Sequence, residues 1–220
     1  MKYIHLLLIS SIILITSCIQ TTEDKINNLV EQHIKTCLYV PDSYESVTTK
    51  VDSAFTPYND PGFHEKLMTL NKYSDNISEH DANIKSEEWE ISSAKSSMAI
   101  WSDGYSATAR HEYKEAKEQL SEHQKKYEEL LAEKEKLIKK GKQLYDEIIK
   151  ETKSPKRFIG YQVNHRYRAE NNDGQKLLGD VLYVFNKDLS KMLLVYDLDS
   201  NDFHIIEELI KQIKEESGNN

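Results

Sequence analysis

The chain has 220 residues, 38% of them hydrophobic and 30% charged, and a formal net charge of −8. An acidic chain is poorly suited to a nucleic-acid backbone, because that binding depends on basic side chains that neutralise phosphates. Its two cysteines, Cys18 and Cys37, are too few for a zinc cluster or a disulfide framework.

Residues 1–17 read as a leader peptide. Lys2 supplies the positive start, and Leu6 to Ile15 form an apolar run too short to span a bilayer comfortably. The run closes on Ile15-Thr16-Ser17-Cys18, which resembles the lipobox of bacterial lipoproteins. The resemblance implies that Cys18 receives a diacylglyceryl group and becomes the first residue after cleavage. Ile15 and Ser17 are tolerated variants of that motif. It further implies a place in the bacterial cell envelope, anchored to a membrane on its periplasmic or outer-membrane face. The expected partner at this end is membrane lipid, since two or more acyl chains hold a protein durably where one does not.

A helix is predicted almost at once, capped by Thr21 or Thr22, with Ile26, Leu29, Val30, Ile34, Cys37 and Leu38 on one face. Cys37 is expected to be a buried small hydrophobe. Pro41-Asp42-Ser43 ends the helix. Tyr44 to Phe55 then read as a strand with Val47, Thr49, Val51, Ser53 and Phe55 on one face.

From Phe63 to Thr152 the pattern is that of an antiparallel helical hairpin. Leu70, Tyr73, Ile77, His80, Ile84, Glu87, Ile91, Ala94, Met98 and Trp101 recur by three and four residues. Tyr113, Ala116, Leu120, His123, Tyr127, Leu130, Lys134, Leu137, Gly141, Leu144 and Ile148 do the same, an a/d seam on each arm. Ser102-Asp103-Gly104 is the turn. Outside the seam, Trp89, Leu131, Ile138, Tyr145 and Ile149 make a second partial apolar stripe, a candidate surface for a protein partner or self-association.

After Ser154-Pro155 the composition turns to strands. Phe158 to Ala169 alternate, with Tyr161, Val163, His165, Tyr167 and Ala169 on one face and Gln162, Asn164, Arg166 and Arg168 on the other. Asn171-Asn172-Asp173-Gly174 is a hairpin turn. Strands follow at Leu177 to Phe185 and Lys191 to Tyr196, and then an amphipathic helix capped near Asn201 or Asp202.

The expected fold is α+β. A sheet domain of about four strands and two helices comprises residues 18–60 and 153–220, and a coiled-coil hairpin is inserted after its first strand (61–152, turn near 102–105). The element order outside the hairpin is similar to that of cystatin and NTF2-like folds, a likeness that implies no function. Segments such as Pro41-Asp42-Ser43-Tyr44-Glu45 and Gly160 to Ala169 resemble uncharacterised lipoproteins of Bacteroidota-type bacteria.

No catalytic motif, cofactor loop or metal set emerges. His80 and His123 are placed on opposite arms about one turn out of step and lack a third ligand, so they read as polar breaks that fix register. His165 has no nucleophile or carboxylate converging on it in any short motif, and Arg166 and Arg168 are expected to pair across strands with acids such as Asp180. The resulting expectation is a non-enzymatic, lipid-anchored interaction protein without cofactor, metal or nucleic-acid partner. The alternative is a small-ligand or enzymatic pocket between sheet and helices.

Overall fold

The computed structural model describes residues 21–218. The leader and Cys18 lie outside the described residues. The chain divides into two compact units, one holding the residues up to Pro61 with Lys156–Glu207, the other Gly62–Pro155 with the residues from Glu208 on.

The first unit opens with α1 (Thr22–Cys37). Thr21 caps it: its hydroxyl accepts from the Asp24 amide at 3.1 Å, and the Asp24 carboxylate accepts from the Thr21 amide at 3.1 Å. Both orphan amides are thus satisfied reciprocally. A short turn of 3₁₀ helix (Pro41–Ser43) leads into β1 (Glu45–Phe55). The antiparallel sheet continues through β2 (Phe158–Glu170), β3 (Lys176–Asn186) and β4 (Met192–Asp197), in the spatial order β1-β2-β3-β4. The hairpin therefore interrupts two strands that are neighbours in the sheet. α4 (Asn201–Ser217) closes the chain, and its first half belongs to this unit.

Ile26, Val30 and Ile34 of α1 are buried with Val163, Tyr183, Phe185 and Leu189 of the sheet unit. Each such side chain, fully removed from water, contributes about 1.5–3 kcal/mol. Gly160 sits where β2 passes between β1 and β3, at φ 152°, and a Cβ there would come within 1.8 Å of the Phe185 carbonyl oxygen. Only glycine fits that approach.

Three expectations for this unit need correction. Cys37 is exposed, because α1 is in its last turn there and the apolar stripe passes to Leu38. The pairing of β1 with β2 is broken by two bulges, one with Val47 of β1 as the extra residue and one opposite Ala54 and Phe55 with Ile159 of β2 as the extra residue. The extra Val47 reverses the alternation, so Val47 is exposed while Thr49 and Val51 are half-buried; Ser53 and Phe55 at the end of the strand are exposed as well. The last helix is capped by Ser200, whose hydroxyl accepts from the Phe203 amide at 3.3 Å, in place of Asn201 or Asp202.

The second unit is the hairpin of α2 (Pro61–Trp101) and α3 (Ala107–Thr152). At 1.5 Å per residue the arms are roughly 60 and 70 Å long. Every predicted seam position from Leu70 to Met98 and from Ala116 to Ile148 is buried or half-buried. The seam stops short of the turn, since Trp101 and Tyr113 are 37% and 36% exposed. Ser106 caps α3 through the Ala109 amide at 3.0 Å. Gly104 lies so close to Ala109 that a Cβ would approach it to 2.2 Å, which holds the turn tight.

Candidate functional site

Two places concentrate groups that could do something beyond folding: the aromatic–histidine cluster of the sheet, and the outer part of the hairpin.

In the sheet, strand alternation puts Tyr161, Val163, His165 and Tyr167 of β2 on the face that α1 covers. His165 is 3% exposed. Its Nε2 is 2.9 Å from the Tyr44 hydroxyl and its Nδ1 is 2.9 Å from the Thr49 hydroxyl. A neutral imidazole has one donor and one acceptor nitrogen, so one of these hydroxyls donates and the other accepts. The ring stacks on Tyr167 and on Tyr44, with centroids 6.1 and 6.0 Å apart. Burial holds the imidazole below its ordinary proton affinity, opposed weakly by the charge of Asp180. Burial likewise pushes the Tyr44 and Tyr167 phenols up, and that of Tyr183, 3.1 Å from His33 Nδ1, strongly so. The phenols stay protonated. Both nitrogens of His165 are hydrogen-bonded within the fold. On the opposite face Arg166 donates to both Asp180 oxygens at 2.8 and 3.1 Å, the expected cross-strand pair. Arg168 forms no such pair among the described residues; Glu45, its partner in register, is held by Lys176.

On the hairpin, polar seam residues meet across the arms. His123 Nδ1 lies 2.6 Å from Glu87, both side chains about one-fifth exposed. Lys134 pairs with Asp81, and Lys66 with Glu151 near the base. His80 lies 3.9 Å from Glu133, and its buried Nδ1 has no hydrogen-bond partner among the described residues. His80 is therefore level with Glu133, ten residues from His123, which is about three turns apart and not one. The register is offset from a simple fold about residue 103. The two histidines cannot share a ligand.

The candidate interaction residues do not form one surface. Trp89 is 67% exposed. Leu131, Ile138 and Tyr145 are half-buried, and the Tyr145 hydroxyl donates to Glu216 in the second half of α4, which belongs to the hairpin unit. A helix of the same chain thus meets the lower stripe. What the sequence reading overlooked is the turn. Ile100 is 71% and Tyr105 98% exposed, beside Trp101. The signal was present: three large apolar residues within six positions around a turn break the polar pattern expected there.

Among the described residues, His111, Glu112 and Glu115 can bring ligand atoms within 4.8 Å of one another. They occupy one exposed turn of α3, where His111 and Glu115 make an ordinary i,i+4 pair. No helix of the described residues is long and apolar enough to cross a membrane. No family model matches the chain, no curated protein matches it, and no solved structure matches it.

Proposed function

We propose that this chain is a non-enzymatic protein of a bacterial envelope, held to the membrane by acyl chains on Cys18, whose hairpin is an arm that engages another protein. The observation that supports it best is the distribution of exposed apolar area on the hairpin. Among the described residues its exposed large apolar side chains are Trp89, Ile100, Trp101, Tyr105 and Tyr113, all in the part of the arms near the turn. Large aromatics kept in water at one end of a helical pair are costly unless they are covered part of the time. Trp and Tyr are also the residues that dominate protein interfaces. Attachment is supported by the lipobox-like Ile15-Thr16-Ser17-Cys18 and by the cap of α1, Thr21, which stands three positions after Cys18. The non-enzymatic reading is supported by the full occupation of His165 by Tyr44 and Thr49.

The test is a photo-crosslinking amino acid at Tyr105 in the intact envelope, with a control at exposed Lys125 lower on α3. A discrete adduct at position 105, absent at 125 and lost on Ile100→Ser/Trp101→Ser, is expected. Equal or no crosslinking at both positions sinks the arm. Mass spectrometry of the N-terminal peptide tests Cys18 separately: an unmodified or internal Cys18 sinks the anchor.

A further inference from the structure

The sheet unit carries a basic and aromatic cleft at the end where α1 begins. It has a volume of about 430 Å³ and is lined by Arg157, Phe158, Ile159, Asn186, Lys187 and Asp188. Lys187 Nζ lies 5.8 Å from the centroid of the Phe158 ring, a cation–π contact that keeps the ammonium exposed. Phe158 in turn stands edge-on to Phe55 and Tyr161, at 5.8 and 5.7 Å. Phe55 is 40% exposed.

The turn that presents Lys187 is firmly held. Asn186 Oδ1 accepts from the Ser190 and Lys191 amides at 2.9 and 3.0 Å, and Leu189 is buried beneath. The nearest carboxylate, Asp188, accepts from the Ser190 hydroxyl at 2.9 Å. By contrast, neither Arg157 nor Lys187 has an ion-pair partner among the described residues. Two cations thus stand beside an aromatic rim in a chain of net charge −8.

The same turn also meets the beginning of the chain. Lys25, in the first turn of α1, donates to the Asp188 carbonyl at 3.2 Å. Thr21 caps that helix, three positions after Cys18. Three residues of extended chain reach about 10 Å at most. The acyl chains proposed for Cys18 are therefore tethered within that distance of the start of α1, beside the cleft. A bilayer surface carrying negative headgroups is what this combination fits: cations for phosphates, and aromatic rings for the polar–apolar boundary.

We infer that the Arg157–Phe158–Lys187 cleft, with Lys25 and Lys191 at its margin, seats this end of the sheet unit on anionic lipid headgroups and so sets how the anchored protein meets the membrane. The inference rests on the anchoring at Cys18. Each cation withdrawn from an anionic surface weakens the contact about fivefold.

The experiment uses the full chain purified from membranes and reconstituted in two kinds of vesicle, phosphatidylcholine alone and phosphatidylcholine with about one-third phosphatidylglycerol. Amine-reactive labelling read by mass spectrometry compares Lys25, Lys187 and Lys191 with Lys136 and Lys139 of α3 in the same molecules. Protection of the first three in the anionic vesicles only, lost at Lys25 and Lys191 in Arg157→Gln/Lys187→Gln, is expected. Labelling that is the same in both vesicles overturns the inference, and so does protection unchanged in the double variant. Both substitutions are at exposed positions, and an unaltered melting curve shows that the variant is folded. The mass of the Cys18 peptide from the same digest keeps the two ideas apart. Acylated Cys18 without lysine protection removes the cleft alone. Unacylated Cys18 with protection in vesicle-bound chains removes the anchor and leaves the cleft.

Discussion

His165 shows how a residue that looks chemical becomes structural. Sequence spacing puts it on the inward face of β2 with Tyr161 and Tyr167, but the hydroxyls that close on it come from Tyr44 and Thr49, more than 100 positions away. No local motif encodes that convergence. Its burial gives the fold a pH dependence whose sign is fixed. The folded state holds the imidazole's proton affinity below the ordinary value near 6.5, so the unfolded chain binds the proton more readily. Stability from this site is complete above about pH 6.5 and is lost as pH falls below it toward the lowered folded value. The urea midpoint is expected to drop between pH 7.5 and pH 5 by more in the wild type than in His165→Phe. Equal slopes would mean that other histidines set the acid response. Cys37 teaches the converse lesson. Its place on an apolar stripe says buried, yet at the end of a helix the stripe can leave the surface it covers.

At the scale of elements, the hairpin was the most legible part of the chain. Three-four spacing sustained from Leu70 to Trp101 on one arm and from Tyr113 to Ile148 on the other leaves little freedom, and the seam follows it from Leu70 to Met98 and from Ala116 to Ile148. The register was not legible, because it is fixed by side chains meeting across the arms: Lys66 with Glu151, Asp81 with Lys134, Glu87 with His123. Removing one member of the half-buried Glu87–His123 pair leaves the other without its partner. Glu87→Ala is expected to destabilise the chain by about 1–3 kcal/mol, whereas Glu87→Leu/His123→Leu restores or raises stability while loosening the choice of register. Chemical denaturation of the three variants checks the first part, and crosslinks between cysteines placed at 81 and 134 check the second. A double variant that loses as much stability as the single would mean that the pair contributes through more than its own contact. The bulges of the β1–β2 pair were beyond reach for a related reason, since an extra residue in a strand leaves no mark on composition.

Taken whole, the chain is a meander with a long insertion in its first connection. Phe55 is paired with Phe158, and the Thr56 amide donates to the Arg157 carbonyl at 3.0 Å. The two ends of the insertion are thus as close as the ends of any β-hairpin loop. Replacing residues 57–156 by a tight Asn-Gly turn is expected to leave a soluble remnant with sheet signal and cooperative unfolding, frayed beyond Glu207, where α4 passes to the other unit. A remnant without cooperative unfolding would mean that the sheet depends on the hairpin. The same adjacency has a kinetic side. Pairing β1 with β2 in the intact chain means closing a loop of about 100 residues, which costs about 2 kcal/mol more in chain entropy than closing one of about ten. A coiled coil forms from contacts close to its own turn and grows outward from it. Once the two arms have zipped, Phe55 and Phe158 are already delivered to each other, and the long loop no longer counts as long. The arm would then act as the chaperone of its own scaffold, and the excised remnant, with the loop removed, should gain little or nothing in refolding rate over the intact chain.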